Sequence, residues 1–253
     1  MADMDPGALH ALAAAAVLAL GTLVVAALLG LERPWLQPWA VLRAAVQLGV
    51  LSLVLRGVIA SLPLTLALLV VMVGVAAATS RQRLGLPWRM LPAIALIVAV
   101  AAALPAAVAI GTGAVAFQPR YLLAVTGILV GNAMTAVSLM GRSLRTALQR
   151  EREIVEGWLA LGATPRRAAL PVVRAAGSTA VLPATDQTRT TGLVTLPGAF
   201  VGAIFGGASP LAAAEFQLVV LAGILLAGVL AVAGVGLLLG APRTLPVQPP
   251  ELG

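Results

Sequence analysis

The chain has 253 residues, of which 60% are hydrophobic and only 10% charged. A water-soluble domain carries roughly 25% charged residues, so this chain lacks the polar surface to cover itself in water. All sixteen basic residues are Arg, against nine acidic ones, and the absence of Cys excludes disulfides and thiolate metal sites.

The apolar runs are continuous rather than alternating, which predicts helices and not the strands of a barrel. A span needs roughly 20 apolar residues to cross about 30 Å of hydrocarbon. On that measure the expected fold is an all-α integral membrane protein, a single domain over 1–253 with about seven transmembrane helices. The spans are predicted at residues 9–29, 40–60, 62–80, 91–110, 121–140, 190–206 and 214–240. Ser61 alone separates the second from the third, and Pro63 lies where proline is tolerated, at a helix start; a tight hairpin is expected there. Pro105 falls inside the fourth run and predicts a kink. A cleaved leader is not expected at the first span, because its flank is acidic and its apolar run exceeds an ordinary leader's.

Arg placement sets the expected orientation. Asp3 and Asp5 precede the first span, and Arg33 and Arg43 follow it. Arg81, Arg83 and Arg89 lie between the third and fourth, seven Arg residues crowd the 141–188 segment, and Arg243 follows the last span. The alternate loops hold only Arg56 and Arg120. Since Arg collects on the cytoplasmic side, the N-terminus is expected outside and the C-terminus inside. The same placement explains the basic charge better than nucleic-acid binding would.

The segment 141–188 is the one long loop, and it is read as cytoplasmic. Leu144, Leu148, Val155 and Leu159 recur at helical spacing, so the first part predicts an amphipathic helix leaving the fifth span. Gly162 suits the residue after a helix end, Thr164 an N-cap and Pro165 the first turn of a following helix. Trp158 and neighbouring Leu residues would be exposed on this turn, which suggests an interface rather than a bare surface loop.

Glu156 and Gly162 stand six apart, as in the E-A-A-x-x-x-G loop of ATP-binding-cassette permeases, although Gly157 and Trp158 replace the two alanines. More specifically, RAAVQLGVLSLVL (Arg43–Leu55), GNAMTAVSL (Gly131–Leu139), ALGATPRRAALPVVRAA (Ala160–Ala176) and TTGLVTLPGAFVGAIFGGASPLAAAEFQLVV (Thr190–Val220) resemble the FetB-type permease family. Its members are described as iron exporters and are distantly similar to plant aluminium-tolerance permeases. The resemblance implies a plasma-membrane homodimer joined to two copies of a separate ATP-binding subunit, which would carry ATP and Mg. It also implies that Glu156, Trp158, Leu159, Gly162, Ala163, Thr164, Pro165, Arg166 and Arg167 couple the permease to that subunit. The chain has no Lys and hence no phosphate loop of its own, so no enzymatic activity and no cofactor are expected on it.

Polar groups inside spans are the default functional candidates. Arg43 and Gln47 are one turn apart on the second span, where Arg43 could equally snorkel to headgroups. Asn132, Thr135 and Ser138 recur on the fifth, where helix–helix hydrogen bonding competes with pathway lining. Asp186 and Arg189 are spaced for a salt bridge or a gate; the resembling family commonly has Asn and Lys there. Gly192, Pro197 and Gly198 interrupt the sixth span, and freed backbone groups there require protein or water around them. His10 is the only His, so a resident metal site is not expected, and iron rests on the resemblance alone. A stand-alone carrier or channel is the competing function, but such carriers need ionisable groups at mid-depth.

Overall fold

The computed structural model describes residues 6–241. Asp3, Asp5 and Arg243 lie outside them, as does the side chain of Arg56. Among the described residues the chain is helical: α1 (Pro6–Leu28), α2 (Leu36–Ile59), α3 (Leu62–Leu84), α4 (Leu91–Gly111), α5 (Pro119–Arg150), α6 (Arg152–Ala160), α7 (Pro165–Thr190), α8 (Gly198–Phe205) and α9 (Pro210–Leu239). A single 3₁₀ turn, Trp88–Met90, precedes α4. Six of these helices are long and apolar enough to cross a membrane: α1, α2, α3, α4, α5 and α9.

The chain divides into two units at Val58 and Ile59. The first comprises α1 and α2, which bury little of each other; Ala26 and Val58 are its buried apolar residues. The second unit runs from α3 onward and holds a continuous core of small and branched residues, among them Ala77, Val98, Ala101, Leu129, Val137, Ala169, Ala227 and Ala231. Small residues let helices approach closely where lipid offers no hydrophobic drive to associate.

Side-chain contacts fix the helix directions in the second unit. Gly127 faces Met72 and Gly141 faces Leu84, so α3 and α5 run parallel. Tyr121 packs on Phe216 at a ring separation of 6.4 Å and Gly223 faces Leu129, so α5 and α9 are parallel too. Gly223 also faces Pro105 and Gly234 faces Ile97, which makes α4 antiparallel to α9. Finally, Gly177 faces Val232 while Gly236 faces Val173, so α7 is antiparallel to both α5 and α9. Gly177 is needed for that fit: a Cβ there would lie 2.9 Å from Val232 Cγ1.

Two expectations are corrected. Residues 190–206 are not one helix. Gly192 takes φ +87°, its N–H donates to Thr195 O at 2.8 Å, and Pro197 stands before α8, so a closed turn separates two helices. Conversely, the helix expected to open at Pro165 makes the 141–188 segment more than a surface loop. Its second half is α7, a helix of 26 residues, or about 39 Å, packed along α5 and α9. Pro105 is accommodated inside a continuous, buried stretch of α4. Pro171 and Pro183 lie inside α7.

Candidate functional site

The antiparallel order gathers charge at one end of the second unit. The C-terminal ends of α3, α5 and α9 and the N-terminal ends of α4 and α7 meet there. So do Arg81, Arg83, Arg89, Arg142, Arg145, Arg150, Arg152, Arg166 and Arg167. Two contacts stiffen this end: Arg145 Nη2 donates to Leu84 O at 2.7 Å, and Arg81 lies 3.7 Å from the centre of the Trp88 ring. The opposite end carries Arg120 and Arg189.

At the basic end, α6 and the start of α7 form a rigid elbow. The Ala163 N–H donates to Trp158 O at 3.0 Å and the Gly162 N–H to Leu159 O at 2.9 Å, the paired bonds that close a helix over a left-handed residue. Gly162 supplies that residue at φ +88°. Thr164 then caps α7, its hydroxyl accepting the Arg167 N–H at 3.4 Å, and Pro165 opens the helix. Leu159 and Ala163 pack on the core. Val155, which the sequence reading left out of the site, anchors α6 with only 1% exposure.

The elbow turns its other side outward. Trp158 is 50% exposed, Ile154 58% and Leu161 82%. With Gly162, Ala163, Thr164, Arg167, Leu170, Pro171 and Arg174, Trp158 and Leu161 line a notch of about 710 Å³. Glu156 does not enter it; the carboxylate accepts from Arg152 Nε at 2.7 Å along α6. Arg166 is exposed on the first turn of α7.

A groove between α5 and α7 leads away from this end. It begins wide, about 670 Å³, beside Arg142, Thr146, Arg150, Pro171, Ala175 and Thr179. Further along the same two helices a separate, smaller cavity of about 120 Å³ lies beside Asn132, Thr135, Pro183 and Gln187, with Ile224 and Gly228 behind. Asn132 donates its amide to Ile128 O at 2.9 Å, which leaves its side-chain oxygen free to accept. Thr135 donates to Gly131 O at 3.1 Å.

Asn132 and Thr135 therefore belong together, but Ser138 does not join them. Ser138 is 4% exposed and donates to Met134 O at 2.8 Å, against α3, where Ser80 reaches the same carbonyl at 3.4 Å. The reason is geometric: six residues advance a helix by about 120° from a whole number of turns. In place of Ser138 the structure brings Gln187 of α7 beside them, while Thr179 lines the wider cavity. The signal was in the sequence, since Thr179, Pro183 and Gln187 recur at helical spacing on one face of α7, but the polarity of the stretch kept it below the threshold of an apolar span.

The remaining candidates scatter. Asp186 and Arg189 pair at 3.9 Å with side chains 64% and 75% exposed, a geometry worth little in energy. Gly192 closes the turn after α7, Pro197 precedes α8 and Gly198 begins it. Arg43 and Gln47 lie one turn apart on α2, in the first unit. Among the described residues no group of three or more His, Asp or Glu comes together to hold a metal ion.

These features define a multi-pass helical membrane protein whose polar groove lies among its apolar helices. Comparison with known proteins makes that specific: the model of the "Uncharacterised protein family (UPF0014)" matches residues 9–242, and the chain belongs to that family. It is 38% identical over 218 residues to the "UPF0014 membrane protein STAR2" of Oryza sativa, covering 85% of this chain and 76% of that protein. It is 32% identical over 184 residues to the "Probable iron export permease protein FetB" of Escherichia coli, covering 72% and 71%. A shorter stretch of 105 residues is 47% identical to "Protein ALUMINUM SENSITIVE 3" of Arabidopsis thaliana, covering 42% of this chain and 38% of that protein. No solved structure matches.

Proposed function

We propose that this chain is the membrane-spanning half of an ATP-binding-cassette exporter, working as a homodimer with a separate ATP-binding subunit docked on the α6–α7 elbow. The carrying observation is the elbow itself. A rigid, core-anchored turn at the basic end displays Trp158, Leu161 and Ile154 outward, more apolar surface than a turn bathed in water keeps for itself. Positive charge collects on the cytoplasmic side, so this end faces the compartment that holds ATP.

The same orientation makes α7 a further crossing, the sixth of seven in chain order. Because α5 and α9 run parallel, the chain must return between them, and α7 does so, with Thr179 and Gln187 turned toward the α5–α7 groove. Polar groups at membrane depth belong against protein or a water-filled cavity; a second copy across the α5–α7 groove supplies the missing wall. Cargo enters at the wide basic end and leaves past Gln187. Iron is the cargo in the name of the Escherichia coli relative, and Asn132, Thr135 and Gln187 offer oxygen donors of the kind hard cations take.

A stand-alone carrier has no use for the elbow, and this separates the two readings. The purified chain is mixed with candidate ATP-binding subunits, selected by co-purification, and ATP hydrolysis is followed in vesicles. Replacing Trp158 and Leu161 with Ser should abolish both co-purification and stimulated hydrolysis. Coupled transport that persists in this variant would overturn the proposal.

A further inference from the structure

A second groove lies on the far side of α7, between α7 and α9, with a volume of about 680 Å³. Arg166 and Arg174 stand two helical turns apart at its rim, and Leu170, Val181, Val229 and Ala233 form its walls. Its polarity is ordered along the helices. Val173, next to Arg174, faces Gly236 and Gly240, at the level where α9 ends at Leu239. Arg174 is therefore at the margin of the apolar helix, whereas Val181 and Val229 lie one to two turns deeper. Neither Arg166 nor Arg174 is engaged by a carboxylate; the ion pairs among the described residues involve Arg152 and Arg189. Among the described residues no acidic side chain lines the groove.

We propose that this trough is a binding site for an anionic phospholipid, with the phosphate between Arg166 and Arg174 and an acyl chain along Val181, Val229 and Ala233. Charge complementarity selects the occupant. Two free guanidinium groups at the headgroup level, above an apolar channel, match an amphiphile whose charge is at one end. Basic pockets between transmembrane helices recognise acidic headgroups in this way, and guanidinium holds phosphate in a two-pronged bond. The lipid would wedge between α7 and α9, so it would bear directly on the helix that carries both the elbow and the groove.

The full-length chain is reconstituted in nanodiscs of phosphatidylcholine containing about a quarter phosphatidylglycerol, released into mild detergent, and weighed with its retained lipid by native mass spectrometry. Each surface Arg contributes about a fivefold preference for acidic lipid. Arg174→Gln should therefore lower the preference about fivefold, the double change with Arg166→Gln about 25-fold, and Arg174→Lys should keep most of it. Ala233→Trp fills the trough without touching charge and should reduce retention of any lipid. Equal retention of the two lipids by the natural chain overturns the site, and so does a preference unmoved by the double change in a protein with an unaltered helical spectrum. Full displacement by inorganic phosphate would assign the arginines to a soluble anion and overturn it too. Arg174 and Leu170 also line the elbow notch, so lipid retention is read on the chain alone, without an ATP-binding subunit, and an absent lipid preference would leave the transporter reading standing.

Discussion

Replacing Gly162 by Ala tests the elbow at its most constrained point. A Cβ added at Gly162 meets nothing within 4 Å, so crowding is not the issue; the backbone at φ +88° is. A non-glycine residue in the left-handed region costs about 1–2 kcal/mol, and the loss of unfolded-state freedom on going to Ala returns about 0.4–1 kcal/mol. The net destabilisation is about 1 kcal/mol, or a fall of roughly 2–4 °C in the thermal midpoint for a chain of this size. Asn tolerates the left-handed region better, so Gly162→Asn should lose less than Gly162→Ala, and Gly162→Val more. The assay is thermal unfolding of the purified chain in detergent, followed by tryptophan fluorescence, with stimulated ATP hydrolysis measured in parallel. A midpoint for Gly162→Ala at or above that of the natural chain would refute the reasoning, as would Asn proving worse than Ala.

Four further outcomes follow from particular contacts. Gly177→Leu forces a side chain against Val232 and Met140 and should cost about 1–3 kcal/mol, read as a lowered midpoint, with Gly177→Ala intermediate. Ser138→Ala removes a buried hydroxyl that donates to Met134 O and should cost about 1 kcal/mol. Thr135→Ala, in the groove, should leave the midpoint within about 0.5 kcal/mol while changing transport in reconstituted vesicles. Glu156→Gln breaks only an exposed pair with Arg152, so stability should move by less than about 0.5 kcal/mol; any effect on ATP hydrolysis then reports docking rather than folding.

The helices read most easily from the sequence are those whose apolar runs are unbroken, α1 to α5 and α9. The elbow was legible as well, because Gly162 is free to take the left-handed conformation after a helix end, the Thr164 hydroxyl can cap the next helix, and Pro165 fits a helix's first turn. The start of α7 was legible at Thr164 and Pro165, but its full length, running to Thr190, was hidden for a physical reason. A helix with protein on one side and a polar groove on the other does not satisfy the average hydropathy of a lipid-facing span. The stretch after it misled in the opposite direction. Leu193, Val194, Leu196, Ile204 and Phe205 raise hydropathy, yet Gly192 and Pro197 break the backbone, and no average over composition registers a break. Ser138 shows a third limit: a spacing of three residues drifts around the helix, so shared periodicity did not mean a shared partner.

The early end of α7 has an electrical consequence. Gln187 is level with Ile224 and Asn132, and α7 stops at Thr190, roughly ten residues or about 15 Å short of where α9 begins. A transmembrane voltage drops across whatever insulates, not across water. Were water to fill the proposed path from the basic end as far as Gln187, the insulating stretch would shrink to roughly the last 15 Å beyond it. A charged cargo would thus cross almost the whole voltage, about 2.3 kcal/mol per charge for every 100 mV, in one short step beyond Gln187.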